Sequence, residues 1–195
     1  MINEDVLLQW GAKKINVQKG EFIFKQEDKA RYYYQVQNGQ VKMSNFNDEG
    51  KEFIQGIFNA GESFGEPPLF GEFLYPSNAI ATENSEILRL DFNEFKDLLR
   101  DRSDIHLEFT KTLAMRLYYK SLMQAEISSE NPSHRILTLL EYWKERYGNG
   151  GDYEMPLTRQ EIANLTGLRV ETTIRTIKKL ELEGALKIIN KKVVF

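Results

Sequence analysis

The chain has 195 residues, room for one or two domains, and it is 41% hydrophobic with 12 Phe, 9 Tyr and 2 Trp to build a core. It holds no Cys and two His, His106 and His134, which excludes disulfides, iron–sulfur ligation and a Cys nucleophile and argues against a multi-histidine centre; no metal or cofactor is expected. The net charge of −3 is unevenly spread: residues 131–195 carry 11 Lys/Arg against 8 Asp/Glu, while the first 130 residues stand at −6, and this acidic front and basic back suggest two tasks.

Residues 1–20 lack the apolar segment of a signal peptide, and no 18-residue apolar run occurs, so a soluble cytoplasmic protein is expected. Residues 12–90 read as short strands: "INVQ", "EFIFK", "YYYQVQ", "VKMSNF", "EFIQGIF" and "EILRL" are rich in β-branched or aromatic residues. Turn signals separate them at Lys19-Gly20, Asn38-Gly39, Asn47 to Gly50 and Asn59 to Gly61. Asn38-Gly39 predicts a hairpin between "YYYQVQ" and "VKMSNF", because both residues tolerate positive φ. Many short strands at close spacing suggest a sandwich or barrel.

From Asp91 the period becomes helical. Asp91 and Glu94 are spaced as a capping box. A longer helix is expected over 103–128, where Ile105, Phe109, Leu113 and Leu117 recur at four-residue spacing and Leu122, Met123 and Ile127 continue the apolar content. Such a stripe can lie on the chain's own sheet or on a partner helix, and both remain open. Asn131-Pro132 reads as an N-cap followed by Pro at the first helical position. The expected division is 1–102, 103–130 and 131–195. Within the last segment, Ile136, Leu137, Leu139, Leu140 and Trp143 make "SHRILTLLEYWKERYG" amphipathic.

The segment "LTRQEIANLTGLRVETTIRTIKKLELEGALKIINKKVVF" carries the most information. Thr158 and Glu161 are spaced as a capping box, and a short helix is expected to about Leu165. Gly167 supplies a tight turn, and a second helix is expected from about Val170 to Glu183, ending at Gly184. "ALKII" and "KVVF", joined by Asn190-Lys191, read as a small hairpin. Two short helices with a Gly-containing turn form a helix-turn-helix pattern, and the hairpin would be its wing. A plain helical hairpin in a core is the competing reading.

"TRQEIA", "TGL", "VETTIR" and "KKLE" resemble the Crp–Fnr family of transcription regulators, which includes the cyclic-AMP receptor protein and the fumarate–nitrate regulator. The resemblance covers almost the whole chain. It implies an α+β fold: an N-terminal β-roll of the cyclic-nucleotide-binding kind (a double-stranded β-helix), a long dimerisation helix and a C-terminal winged helix-turn-helix. It implies a homodimeric, sequence-specific regulator and not an enzyme. The implied partners are double-stranded DNA, a second copy, RNA polymerase and a small-molecule effector of unknown identity.

By position, the resemblance carries Val170, Glu171, Ile174, Arg175 and Lys178 onto the DNA-facing side of the second helix. Glu171, Arg175 and Lys178 stand at i, i+4 and i+7, so one face can present all three. Arg can donate to guanine O6 and N7, and Glu can accept from cytosine N4, while Lys178 suits a phosphate. Cyclic-AMP receptor proteins usually have Arg where this chain has Val170; the "VE" pattern is closer to the fumarate–nitrate branch and implies TTGA-like half-sites. Ile174 stands where that branch has Ser. Val170 and Ile174 can touch thymine methyls; the alternative is that both are core residues of the helix, against which Thr173, Ile177 and Leu180 offer a competing core face. Arg169 is a poor N-cap residue and suits a phosphate contact. The iron–sulfur sensor of that branch needs cysteines, and these 195 residues hold none.

In "GESFGEPPLFGEFLYPSNAIAT", residues 61–82, Gly65, Glu66 and Ser77 match the family's cyclic-nucleotide cassette. Pro76 stands where the family has the phosphate-binding Arg. Pro brings neither charge nor N–H, and no Lys or Arg occurs from 52 to 88, where Glu52, Glu62, Glu66, Glu72, Glu83 and Glu86 lie. A buried phosphodiester without a cation is strongly unfavourable. Lys120-Ser121 aligns with the family's adenine-contacting pair. The expectation is a regulator without tight cyclic-AMP binding, in which the cassette's Phe, Tyr and Pro line a pocket for a less charged ligand or simply fill it. The rivals are a small-molecule-binding module with a vestigial helix-turn-helix and, remotely, a cupin-type enzyme.

Overall fold

The computed structural model describes residues 2–128 and 131–195; Ser129 and Glu130, the end of the expected linker segment, lie outside the described residues. The chain divides into two compact units, Met1–Thr112 and Leu113–Phe195. Among the described residues no helix is long and apolar enough to cross a membrane.

The first unit opens with α1 (Glu4–Gln9), capped by the Asn3 side chain on the Asp5 amide. Eight strands follow in two antiparallel sheets. One sheet is ordered β1 (Lys13–Val17), β8 (Ser85–Asp91), β3 (Tyr32–Asn38), β6 (Ser63–Phe64); the other is β2 (Phe22–Phe24), β7 (Asn78–Ala81), β4 (Gln40–Phe46), β5 (Glu52–Asn59). Alternating side chains enter a shared core: Tyr34, Val36 and Ile87 from one sheet meet Phe24, Val41 and Met43 from the other. The pairings Val36 with Ile87 and Val41 with Ala81 fix the registers that turn these residues inward.

The hairpin expected at Asn38-Gly39 does not form. β3 pairs with β8 and β6, and β4 with β5 and β7, so this turn carries the chain from one sheet to the other. The reason is burial: Val36 and Val41 enter the shared core from opposite sheets. Gly39 has φ +88°, and a Cβ there would lie 2.3 Å from Ser85 Oγ and 2.8 Å from the Asn84 carbonyl oxygen. Glycine is therefore demanded both by backbone conformation and by close approach.

Residues 61–82, to which no strand or helix was assigned above, contain β6, α2 (Pro67–Gly71) and β7. Their Gly, Pro and Ala content hid these short elements. α3 (Phe92–Asp101) starts at Asp91, whose side chain accepts from the Asn93 amide, one residue short of the Glu94 amide that a capping box would use. α4 (Ser103–Ser128) spans the expected range and runs from the first unit into the second. Its Phe109 packs edge-on to Phe95 at 5.3 Å, sealing the base of the first unit.

The second unit continues with α5 (Pro132–Tyr147), α6 (Arg159–Thr166), α7 (Val170–Leu182) and the hairpin β9 (Lys187–Ile189), β10 (Lys192–Val194). Asn131 caps α5 through the Ser133 amide, with Pro132 opening the helix. Ile136, Leu139, Leu140, Ile162, Ile177 and Val193 are fully buried and form its core.

Candidate nucleic-acid interface

The α6–turn–α7 arrangement follows from local chemistry. The Glu161 carboxylate accepts from the Thr158 amide at 2.7 Å, and Thr158 Oγ1 accepts from the Glu161 amide at 3.1 Å, so both halves of the capping box are made. Gly167 closes α6 in the left-handed conformation at φ 69°. Ile162, Ala163 and Leu165 then anchor α6 beneath α7.

α7 has two faces. Thr173, Thr176, Ile177 and Leu180 are buried, while Glu171, Ile174, Arg175 and Lys178 are exposed and Val170 is half-buried. The structure brings the last four expected residues to one outer face, since they repeat at helical spacing. Ile174 is the informative one. It is 39% exposed although it is a large apolar residue, so the core reading of this position does not hold. Arg169 sits exposed at the N-cap with no capping hydrogen bond, leaving the first amides of α7 open toward the same end. The net effect is three cations and one carboxylate around an exposed helix N-terminal half.

The wing forms as expected. Asn190 and Lys191 both adopt positive φ, 49° and 66°, which is the two-residue hairpin geometry whose twist matches the strands. One fastening residue escaped sequence analysis: the Glu181 carboxylate accepts from the Ile188 amide at 3.1 Å and ties β9 to the last turn of α7. No motif marks it, because a seven-residue reach across a turn has no sequence signature. At the wing's base Lys187 Nζ meets Asp152 at 2.8 Å, and that contact holds the Asp152 carboxyl below its ordinary range.

In the first unit the cassette is filled. The Tyr75 ring stacks on Phe24 with centroids 3.6 Å apart and planes within 8°, and Phe64 stacks against Tyr34 at 5.5 Å. Gly65 has φ +75°, and a Cβ there would lie 2.8 Å from the Phe24 ring. The aromatic residues of the cassette thus pack on one another. Glu66 is buried at the start of α2, where its carboxylate accepts a hydrogen bond from Ser63 Oγ. Ser77 is also buried, and its Oγ has no hydrogen-bond partner among the described residues; the same holds for the Tyr75 hydroxyl. Burial pushes the Tyr34 hydroxyl up to about 12 and that of Tyr75 further. Pro76 is exposed, and its carbonyl accepts from Asn45 Nδ2 at 2.6 Å. Gly65, Glu66, Pro76 and Ser77 thus belong to the first unit. Lys120 and Ser121 belong to the second; both are exposed on α4, and Ser121 Oγ donates to the Leu117 carbonyl. A separate cavity of about 290 Å³ lies beside Ile2, Tyr33, Ile105 and Phe109, and none of the four cassette residues lines it.

The two units match two known domain families. The cyclic nucleotide-binding domain matches residues 14–102 and the Crp-like helix-turn-helix domain residues 134–195. Electron transport regulator A of Shewanella oneidensis is 25% identical over 186 residues, covering 93% of this chain and 74% of that protein. The fumarate and nitrate reduction regulatory protein of Escherichia coli is 25% identical over 183 residues, covering 92% and 73%. The solved structure of the c-di-GMP responsive global regulator CLP from Xanthomonas campestris superposes with a TM-score of 0.77 at 22% identity, covering 98% of this chain and 99% of that one. With both domains matched in order, and with similarity to named regulators over more than nine-tenths of its length, the chain belongs to the Crp–Fnr family of DNA-binding transcription regulators.

Proposed function

We propose that the protein binds, as a homodimer, a palindromic DNA site with TTGA-like half-sites, and that cyclic AMP does not control it. The exposed face of α7 carries this reading. In this reading Arg175 reads guanine, Glu171 accepts from cytosine N4, Val170 and Ile174 meet thymine methyls, and Arg169 and Lys178 hold phosphates. Buried Thr173, Ile177 and Leu180 fix the rotation of the helix that presents them. The second copy is expected along α4, where Leu107 and Leu117 are more than 60% exposed and Tyr118, Met115 and Leu122 extend the apolar row. RNA polymerase is the further protein partner of a regulator acting from such a site.

The cassette does not suit an anionic nucleotide. Its position for a cation is Pro76, and the Phe24–Tyr75 stack occupies its interior. A cyclic dinucleotide, with two phosphates, meets the same obstacle twice. Gel-shift titration with a TTGA-type palindrome tests the first part: sequence-specific retardation is expected, and failure to select any DNA sequence from a random pool defeats it. Isothermal titration tests the second: micromolar or tighter affinity for cyclic AMP or cyclic GMP defeats that part alone.

A further inference from the structure

Two sets of long side chains join α4 to α5 inside the second unit. At the first level Arg135, in the opening turn of α5, donates from Nε to the Glu126 carbonyl at 3.3 Å and from Nη2 to the Ile127 carbonyl at 2.8 Å. These carbonyls are among the last four of α4, which find no partner within their own helix. The guanidinium therefore bonds two carbonyls of the last turn of α4 and sits at the negative end of the helix dipole. At the second level Tyr119 of α4 stacks on Tyr142 of α5, with centroids 3.7 Å apart and planes within 16°. Tyr142 is itself held, because its hydroxyl accepts from Arg146 Nη1 at 2.8 Å. Met123, between the two levels on α4, is buried while Leu122 beside it is exposed. None of these side chains belongs to the exposed face of α7.

We propose that Arg135 and the Tyr119–Tyr142 stack are positioning residues for DNA recognition: they fix α7 relative to the last turns of α4 and so set the half-site spacing that the protein accepts. The inference rests on the dimer reading above. α5 packs against both α6 and α7, so it moves with the reading head. Leu117 and Tyr118, on the expected dimer seam, lie directly beside Tyr119 on α4. At 1.5 Å per residue the 16 residues of α5 span about 24 Å. A swing of about 8° at the α4–α5 joint then displaces its far end by about 3.4 Å, one base-pair step. A planar two-donor head and a stacked ring pair, engaged at separate levels, oppose such a swing better than either alone.

The test is selection of bound DNA from palindromes whose spacer varies by single base pairs. The wild-type protein is expected to favour one spacer. Arg135→Ala/Tyr142→Leu is expected to accept spacers one base pair shorter and longer within about threefold of the best, with base preference inside each half-site unchanged. Arg135→Lys keeps the charge but loses the two-donor fork, and it is expected to broaden the profile as well. Binding to a single half-site, measured in parallel, reports whether the reading head is folded. Folded variants with a spacer profile as sharp as the wild type's overturn the proposal. A wild-type protein that selects no site instead defeats the functional reading beneath it.

Discussion

Removing the Arg175 side chain separates DNA reading from folding. Arg175 is exposed on α7 and enters no hydrogen bond or ion pair among the described residues, so Arg175→Ala is expected to change unfolding free energy by less than about 0.5 kcal/mol. On DNA the same change removes one bidentate base contact per copy, each typically worth about 1–3 kcal/mol. Two half-sites give a loss of about 2–6 kcal/mol, roughly 30-fold at the low end. Lys178→Ala, one turn further along the same face, removes a phosphate contact instead. It is expected to weaken all sequences alike and to lower the salt slope by about one per copy. Ile177→Ala is the contrast: this side chain is fully buried, so about 2–5 kcal/mol of stability should go. Fluorescence anisotropy at several salt concentrations, on the selected palindrome and on one with its guanine changed, reads the first two, and urea unfolding reads the third. If Arg175→Ala loses affinity equally on both DNAs, Arg175 is not reading a base and the assignment of this face is wrong.

Four other expectations follow from single positions. Leu117→Glu puts a charge into the exposed apolar row of α4 and should shift the protein from dimer to monomer in sedimentation at micromolar concentration; an unchanged dimer places the seam elsewhere. Gly39→Ala meets both a φ of +88° and a 2.3 Å approach to Ser85, so urea unfolding should show a loss of about 2 kcal/mol or more, and a neutral result refutes the crossover between sheets. Pro76→Arg returns a cation to the cassette while Tyr75 stays on Phe24, so cyclic-AMP binding should rise only when Tyr75→Ala is added; tight binding by Pro76→Arg alone refutes the filled cassette. Unfolded Tyr ionises near pH 10, whereas burial keeps Tyr34 protonated to about 12 and Tyr75 beyond, so stability should be flat below about pH 10 and fall above it, and a melting temperature unchanged to pH 11.5 removes this account.

The reading head was legible because its signals are local. Thr158 and Glu161 make a capping box from four residues, Gly167 marks a left-handed turn, and Asn190-Lys191 marks a hairpin without reference to the rest of the chain. The division of α7 into faces followed from period alone; of the two ambiguous positions Ile174 is exposed and Val170 half-buried. The roll was less legible because its signals are not local. Asn38-Gly39 promised a hairpin, and only the long-range pairing of β3 with β8 and of β4 with β7 turned that corner into a crossing between sheets. β7 was missed because "NAIA" lacks the bulky alternation of an exposed strand; it is Ala-rich where Ala79 and Ala81 are packed beneath aromatic rings. Glu181 and Arg135 act through backbone partners, and sequence carries no mark of a side chain that bonds a distant amide or carbonyl.

The whole-chain charge misleads about the partner, and screening explains why. Exposed charges act over roughly a Debye length, about 8–10 Å at physiological ionic strength. The 13 residues of α7 alone span about 20 Å. A phosphate approaching this helix therefore responds to Arg169, Arg175 and Lys178 against Glu171, a local excess of two positive charges, and not to the −3 of the chain. The same locality works against the cassette. Residues 52–88 hold no cation of their own, and the cations that reach their glutamates, Lys42 on Glu52 and Lys14 on Glu86, are already engaged in ion pairs, while the buried Ser77 and Tyr75 hydroxyls have no hydrogen-bond partner among the described residues. Neutral donors can orient an anion but cannot compensate its desolvation, since a buried charge requires an opposite charge within a few ångströms. The proposed reading thus sets phosphate-attracting chemistry on α7 against a cassette with no cation of its own. For that reason DNA affinity should fall steeply with added salt, while cyclic nucleotides should fail to bind at any ionic strength.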